Sequence, residues 1–584
     1  MTVNRFNMMV GGAAGLGVKT AGDVLARLCT RAGLHVFGNV EYPSIIRGDH
    51  NSYQIVAGEA FQHGHRRELD LLLALDDLSV ELHREEIRPG GALIHDSGKG
   101  GADLSGLAER GVILAGVPLA SIVEEAGGGA RLLNAAGLGA VMGLVGLDRE
   151  ALAAAFKDAF ARFGDEILAA NLAAGRLAWE RTSGETAAAF DRRLEPVDAP
   201  PRMLVTGNQA LAIGAIKAGV KFYAGYPMTP SSTIMTTLAR QEREYGLVVK
   251  HAEDEISAVG MAVGASVAGA RAMTATSGGG FCLMCEFLGL AGMTETPLVL
   301  VESQRPGPAT GLPTRTEQGD LKFVLSASQG DFPRIVIAPG GPEECFRWGF
   351  EAFNLAERYQ TPVILLLDKH LSESCWTCAP FATDGLTVDR GAWADAAAPA
   401  PGEDQFPRHA ATDTGVSPML RPGTPGATWT TTGDAHDDLG RISEEEADRV
   451  RHMDKILGKV RGLDAGAYGW TLHGPAEADL TVVGWGSTTQ PILGALDDLA
   501  GAPVNFLQVR GMHPFPTGDV ARILAGARRT VLVENNATGQ LGDLIAERAG
   551  VRIDDAILKY SGRQFLVDEL AAAIGERLQA PEGR

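Results

Sequence analysis

The sequence predicts a multidomain α/β protein whose central part is a doubly wound parallel sheet. Three observations carry this. Between residues 203 and 373, near-continuous apolar strands alternate with helical stretches, the pattern of a sheet covered on both faces. Glycine-rich turns follow several of those strands directly. The length, 584 residues, implies several domains at roughly 100–200 residues each.

Composition narrows the class. Hydrophobic residues make up 45% and charged residues 21%, which excludes wholesale disorder. Lys+Arg is 52 against 72 Asp+Glu, and the net charge of −20 disfavours a nucleic-acid partner. No apolar run approaches the ~20 residues of a membrane helix; Phe281 to Met293 is short and contains Glu286. The start, MTVNRFNMMVGG, lacks the apolar core and cleavage site of a secretory signal, so a cytoplasmic location is expected. Six cysteines do not make a disulfide framework.

In chain order, Phe6 to Val10 reads as a strand, Val18 to Ala32 as a helix and Leu34 to Val40 as a strand. Leu69–Leu75 and Ala92–His95 continue the sheet, and this first domain runs over residues 1–193. Three prolines mark 194–202 as a linker. Residues 203–378 form the central domain, with strands at Lys221–Ala224, Arg271–Thr276, Leu298–Glu302, Arg334–Ala338 and Val363–Leu367. Residues 379–470 read as a linker and charged helix: 379 to about 437 is a partly ordered connection rich in Pro, Ala, Asp, Thr and Gly, and Ile442–Val460 is the helix. Residues 471–584 are α/β again, with strands at Leu480–Gly484, Val504–Val509 and Thr530–Glu534.

Several turns have the composition of ligand sites. Gly12, Gly15 and Gly17 lie between a strand and a helix. They make either a tight turn with close helix packing or a cradle of backbone N–H groups for an anion. The loop Gly225-Tyr-Pro-Met-Thr-Pro230 ends a strand where parallel sheets place ligands. Local rules read it more simply: Thr229 as an N-cap, Pro230 at the first helical position and a helix to Arg243. Glu253, Asp254 and Glu255 open a helix that is small and apolar all round, so the helix and an acid at its head are expected to be buried. Arg305 stands in a rigid, hydroxyl-rich loop and is either solvated or the partner of a carboxylate. The Cys282-x-x-Cys285 and Cys375-x-x-Cys378 pairs lack any iron–sulfur spacing, and no metal site is expected in this chain.

Together these stretches resemble the 2-oxoacid:ferredoxin oxidoreductase family, most closely the α subunits of 2-oxoglutarate:ferredoxin oxidoreductases with a γ-type domain fused at the N-terminus. The likeness rests on GLGVKTAGDVLARL and EYPSIIRGDH in the first domain, then YPMTPSS, EDEISAVGMAVGAS, AMTATSGGGF, LGLAGMTETPLV and QRPGPATGLPTRTEQGD. VENNATGQL and KYSGRQF extend it towards the C-terminus, leaving out residues 380–440.

The resemblance implies a γ-type α/β domain, a thiamine-pyrimidine-binding domain and a transketolase C-terminal-like α/β domain. It implies a thiamine diphosphate enzyme split between chains. A β subunit would carry Gly-Asp-Gly, absent from this sequence, with Mg²⁺ and a [4Fe–4S] cluster, in an (αβ)2 complex that reduces ferredoxin. The substrates would be a 2-oxoacid and coenzyme A. By the glycine spacing that follows it, Glu255 corresponds to the acid that activates thiamine. Thr229, Arg305 and Thr314 resemble the substrate-carboxylate contacts, Tyr226 and Pro227 the cofactor loop, and Gly12, Gly15, Gly17 and Arg47 a coenzyme A site. Two positions depart from the family pattern: Gly279 stands where Pro is common, and Cys282 where Ser is usual. The alternatives are the same chemistry on pyruvate, a branched-chain 2-oxoacid or indolepyruvate, or a non-catalytic α/β binding protein.

Overall fold

A computed structural model describes residues 2–44, 49–98, 101–129, 132–394, 405–425 and 427–580. The chain divides into two compact units. The first comprises Met1–Val205, Ser374–Pro380 and Leu566–Ala572; the second comprises Thr206–Glu373, Phe381–Phe565 and Ala573–Arg584.

The first unit is built on an eight-stranded sheet. The strands Arg5–Ala13, Leu69–Ala74, Ile87–Asp96 and Ile113–Val117 run parallel. His50–Gly58, His35–Glu41 and Cys375–Cys378 extend the sheet antiparallel on the other side. The antiparallel half departs from the all-parallel pattern. His50–Gly58 was not legible as a strand because it opens on His-Asn-Ser, yet seven of its nine residues are buried. Val18–Arg31 and Leu133–Leu144 pack on this sheet in one apolar core. The latter helix is buried at every position, in keeping with a composition that is apolar or glycine except at Asn134.

The second unit holds a seven-stranded sheet in the order Val248–His251, Phe222–Gly225, Ala272–Thr276, Leu298–Gln304, Pro362–Asp368, Ile335–Ile337 and Gly511–His513. The last strand alone is antiparallel. A five-stranded sheet contains Leu480–Gly484, Val504–Val509, Thr530–Glu534 and Asp555–Leu558 in parallel, with Trp470–His473 antiparallel at its edge. One continuous core joins both sheets, from Ala224 and Phe281 to Trp485 and Leu541. The segments read from sequence as separate blocks, 203–378 and 471–584, therefore bury their apolar faces against each other.

Two expectations change here. The helix Glu255–Val267 is not buried all round, because Ile256 and Met261 face outward. The connection after residue 379 is also more ordered than its composition implies. Buried Arg271 pairs with Glu357 at 2.8 Å and donates to the Asp389 carbonyl. Buried Glu295 takes His409, Lys455 and Lys459 at 2.8, 2.6 and 2.6 Å. Polar contacts of this kind, at Asp389, His409, Lys455 and Lys459, leave no hydrophobic periodicity to reveal them. The charged helix spans Glu446–Gly458.

Candidate active site

The site forms where the parallel strands Phe222–Gly225, Ala272–Thr276 and Leu298–Gln304 end. Each strand is apolar enough to sit in the sheet centre, and each breaks into a Pro- or Gly-rich turn at its C-terminal end. That is where an open parallel sheet leaves a crevice.

The first turn corrects a local expectation. Thr229 is not an N-cap and Pro230 does not begin a helix. The helix spans Ser232–Ala239, with Ser231 at its cap position, and a separate turn covers Glu242–Tyr245. Thr229 and Pro230 are joined by a cis peptide bond. The Thr229 carbonyl accepts a hydrogen bond from Arg305 Nη1 at 2.9 Å. This long-range contact holds the loop in place of the short-range cap. Tyr226 and Pro227 are exposed at the mouth of the same loop.

The second turn positions Glu255. Asp254 caps the helix Glu255–Val267, accepting from the Ser257 N–H at 2.7 Å. Glu255 is thereby left free of capping and turned inward, 4% exposed. Its Oε1 is buried with no hydrogen-bond partner. A buried carboxylate oxygen without a donor costs free energy, so such an atom marks a place prepared for a ligand. Gly280 makes room for it: a Cβ there would lie 2.7 Å from Glu255 Oε1 and would overlap the Thr276 hydroxyl. The Ser277 hydroxyl of the same turn is also buried and unpartnered.

The third turn supplies the cation. Arg305 is neither buried nor solvated, and among the described residues it forms no ion pair. Burial lowers its pKa, while Asp320, Glu255 and Glu302 hold it up. It thus faces those three acids at a distance, its charge unspent. Thr314 is buried in the loop that follows. That loop closes on itself through Leu312 N–H to the Pro306 carbonyl at 3.0 Å.

The C-terminal motifs brace this loop from behind. Gln318 exchanges two hydrogen bonds with the Asn535 backbone, at 2.7 and 2.9 Å. Asn536 donates to the Gln318 carbonyl at 2.9 Å, and Gln540 to the Gly319 carbonyl at 2.7 Å. Glu534 accepts from Trp485 Nε1 and the Leu541 N–H. Burial nevertheless pushes its carboxyl up to about 7. Sequence reasoning singled out VENNATGQL without a role; its role in the fold is to hold the Arg305–Gln318 loop. It also missed Glu302 and Asp320. The signal for Glu302 was a run of three polar residues, Glu-Ser-Gln, closing an apolar strand.

The glycine loop of the first unit divides between its two readings. Gly12 and Gly17 are packing positions: a Cβ on Gly12 would lie 3.1 Å from Leu75, and one on Gly17 would lie 2.6 Å from Asn134. Gly15 has φ +98° and open space around it, as an approach of backbone to a ligand requires. Asn134 Oδ1, beside Gly17, is buried and unpartnered. Arg47 lies outside the described residues. Cys282 is exposed and Cys285 half-buried on the Gly278–Met293 helix, while Cys375 and Cys378 are buried in a strand.

Comparison with known proteins adds independent information. Residues 213–453 match the family model described as pyruvate flavodoxin/ferredoxin oxidoreductase, thiamine diphosphate-binding. Residues 7–181 match the model described as pyruvate ferredoxin/flavodoxin oxidoreductase. Subunit α of 2-oxoacid:ferredoxin oxidoreductase 2 from Aeropyrum pernix is 33% identical over 99% of this chain and 98% of its own length. The 2-oxoglutarate oxidoreductase subunit KorA of Mycobacterium tuberculosis is 33% identical over 77% of this chain and 69% of its own. A solved 2-oxoglutarate:ferredoxin oxidoreductase from Magnetococcus marinus, with 2-oxoglutarate, coenzyme A and succinyl-CoA bound, superposes with a TM-score of 0.90. The two chains are 30% identical, over 99% of this chain and 100% of the other.

Proposed function

The chain belongs to the thiamine diphosphate-dependent 2-oxoacid:ferredoxin oxidoreductases as an α subunit, and from that premise we propose that it acts on 2-oxoglutarate. The reaction is oxidative decarboxylation with coenzyme A to succinyl-CoA and CO2, coupled to ferredoxin reduction and open to reversal for CO2 fixation. The observation that carries this reading is the pairing of Glu255, buried with an unpartnered oxygen, with Arg305, a cation that has no counter-ion among the described residues. The KorA relative and the 2-oxoglutarate-bound neighbour support the choice of acid.

The residues fit the cofactor: Glu255 Oε1 awaits a donor, and Gly280 leaves the space in front of it. Bound there, thiamine diphosphate supplies a carbon nucleophile and an electron sink. This chain would hold the pyrimidine end through Glu255 and the Tyr226–Pro227 loop. Glu255 holds or releases a proton at the aminopyrimidine and so controls activation. Arg305, steadied by the Thr229 carbonyl, orients the 2-oxoacid carboxylate, with Thr229 and Thr314 beside it. In this reading residues 1–193 are the γ-type domain, 203–378 the pyrimidine-binding domain and 471–584 the transketolase C-terminal-like domain. Gly15 marks the place for coenzyme A. The partner β subunit brings the pyrophosphate-binding half, Mg²⁺ and the [4Fe–4S] cluster, in an (αβ)2 complex.

The test is anaerobic purification of the tagged chain with whatever accompanies it, followed by dye reduction with 2-oxoglutarate, pyruvate and branched-chain 2-oxoacids. A stoichiometric partner and a preference for 2-oxoglutarate in kcat/KM are expected. Equal or better kcat/KM for pyruvate would move the assignment to that acid. A lone chain binding no thiamine diphosphate would refute the catalytic reading.

A further inference from the structure

The strand Leu298–Gln304 ends on three consecutive buried polar side chains, Glu302, Ser303 and Gln304. Alternation puts Glu302 and Gln304 on one face. In the parallel register Glu302 stands opposite Thr276, and Gln304 opposite Asp368. Glu302 therefore shares a sheet face with the Thr276 side chain, which lines the pocket of Glu255 beside Gly280. Asp320 is held over that face. Its backbone N–H donates to Gln304 Oε1 at 2.9 Å, and its carboxylate lies 2.5 Å from where a Cβ on Gly278 would stand. It does not cap its own helix, Leu321–Ser326.

Glu302 is fully buried, and neither of its oxygens has a hydrogen-bond partner of ordinary geometry. The groups that raise it are Asp320, Asp368 and Cys282, and the cation that faces it is Arg305. A carboxylate buried among carboxylates and unpaired keeps its proton, and burial first, then Asp320, pushes Glu302 well above the usual carboxylate range. Burial lifts Asp320 only to about 6, because the Glu302 side chain donates toward it and Arg305 draws it down further. Glu317, which also faces Asp320, is raised by burial.

We propose that Glu302 is an uncharged acid behind Arg305, that Asp320 carries the single negative charge of the pair, and that together they set how much of the Arg305 charge is available to a substrate carboxylate. Both are positioning residues, acting through Arg305, and the proposal rests on the reading of Arg305 as the carboxylate anchor. Were both acids ionised, Arg305 would face two charges in addition to Glu255, and a 2-oxoacid anion would meet a site of net negative sign.

The experiment uses the complex of this chain with its partner subunit, purified anaerobically. The KM for 2-oxoglutarate is expected to rise severalfold as pH rises through about 6, because ionised Asp320 competes for Arg305. Asp320→Asn removes that step. Glu302→Ala takes away the donor that holds Asp320 in its charged form, so the KM step moves to higher pH. Glu302→Gln, a neutral donor of the same shape, returns the step most of the way to its wild-type position. Infrared difference spectra of wild type minus Glu302→Gln at neutral pH carry the carbonyl stretch of a protonated acid. The infrared measurement needs no turnover. It locates the proton even in a complex that prefers another substrate, so a failed substrate assignment is told apart from a failed proton assignment. A difference spectrum with no acid band, a Glu302→Gln variant whose step is displaced as far as that of Glu302→Ala, or a KM step that survives Asp320→Asn overturns the proposal.

Discussion

Gly280→Ala is the sharpest probe of the Glu255 pocket, because it adds one carbon at a known distance and removes no functional group. Gly280 does not have a positive φ, so an alanine there is not strained by its backbone. The effect is steric and local. The new Cβ would sit 2.7 Å from both Glu255 Cγ and Oε1 and would overlap the Thr276 hydroxyl. The strand fixes the Thr276 backbone, so its hydroxyl must turn aside and the Glu255 side chain must shift as well. Reaching an ordinary contact of 3.4 Å means a displacement of roughly 0.7 Å. Misplacement of a catalytic group by about 1 Å costs on the order of 10²-fold in rate. Gly280→Ala is therefore expected to lower kcat about 10²-fold while the protein folds and still binds its partner. The assay is anaerobic 2-oxoacid-dependent dye reduction, with thiamine diphosphate content measured on the same preparation. Gly279→Ala is the control: a Cβ at Gly279 meets nothing nearer than the Ala309 carbonyl at 4.0 Å, and its kcat is expected within about twofold of wild type. A Gly280→Ala enzyme within threefold of wild type would show that the Glu255 position does not limit the chemistry.

Other perturbations reach different parts of the molecule. Glu255→Gln keeps the shape and removes the charge; turnover should nearly vanish with the melting temperature unchanged, and near-wild-type rates would remove Glu255 from its role. Arg305→Ala should lower kcat/KM by orders of magnitude, and an unchanged value would make it an ordinary loop residue. Gly15→Val should weaken coenzyme A binding in a direct titration, and unaltered affinity would end the assignment of that loop. Glu295→Ala strands Lys455 and Lys459 without their counter-ion and should cost about 3–5 kcal/mol in chemical denaturation. Burial alone would raise the Glu295 carboxyl, but Lys459, His409 and Lys455 hold it well below the usual range. Its contribution is therefore present above the ordinary carboxylate pKa and lost as pH falls through and below that value. Glu295→Gln should flatten that acid limb of the melting curve, and an unchanged limb would refute the linkage.

The amino-acid sequence by itself determined the class and most of the scaffold. The five central strands it marked, from Lys221–Ala224 to Val363–Leu367, are all present to within two residues at either end. They were legible because a strand buried on both faces must be apolar at every position. Glu255 was singled out through the family resemblance, by the glycine spacing that follows it, and the residues alone indicated only that an acid at the head of that helix is buried. Tertiary structure decided the rest, wherever a distant group outbids a local one. Thr229 gives up its cap because Arg305, 76 residues away, takes its carbonyl. The Arg305–Gln318 loop is shaped by Asn535 and Asn536, more than 200 residues on. Glu295, an acid next to two threonines, becomes the centre of a buried ion cluster only when residues 408–459 fold over it. Apolar burial leaves a periodic trace in sequence because it acts on whole faces of helices and strands. Paired polar burial leaves none, because each partner is an ordinary surface residue until the chain brings the other to it.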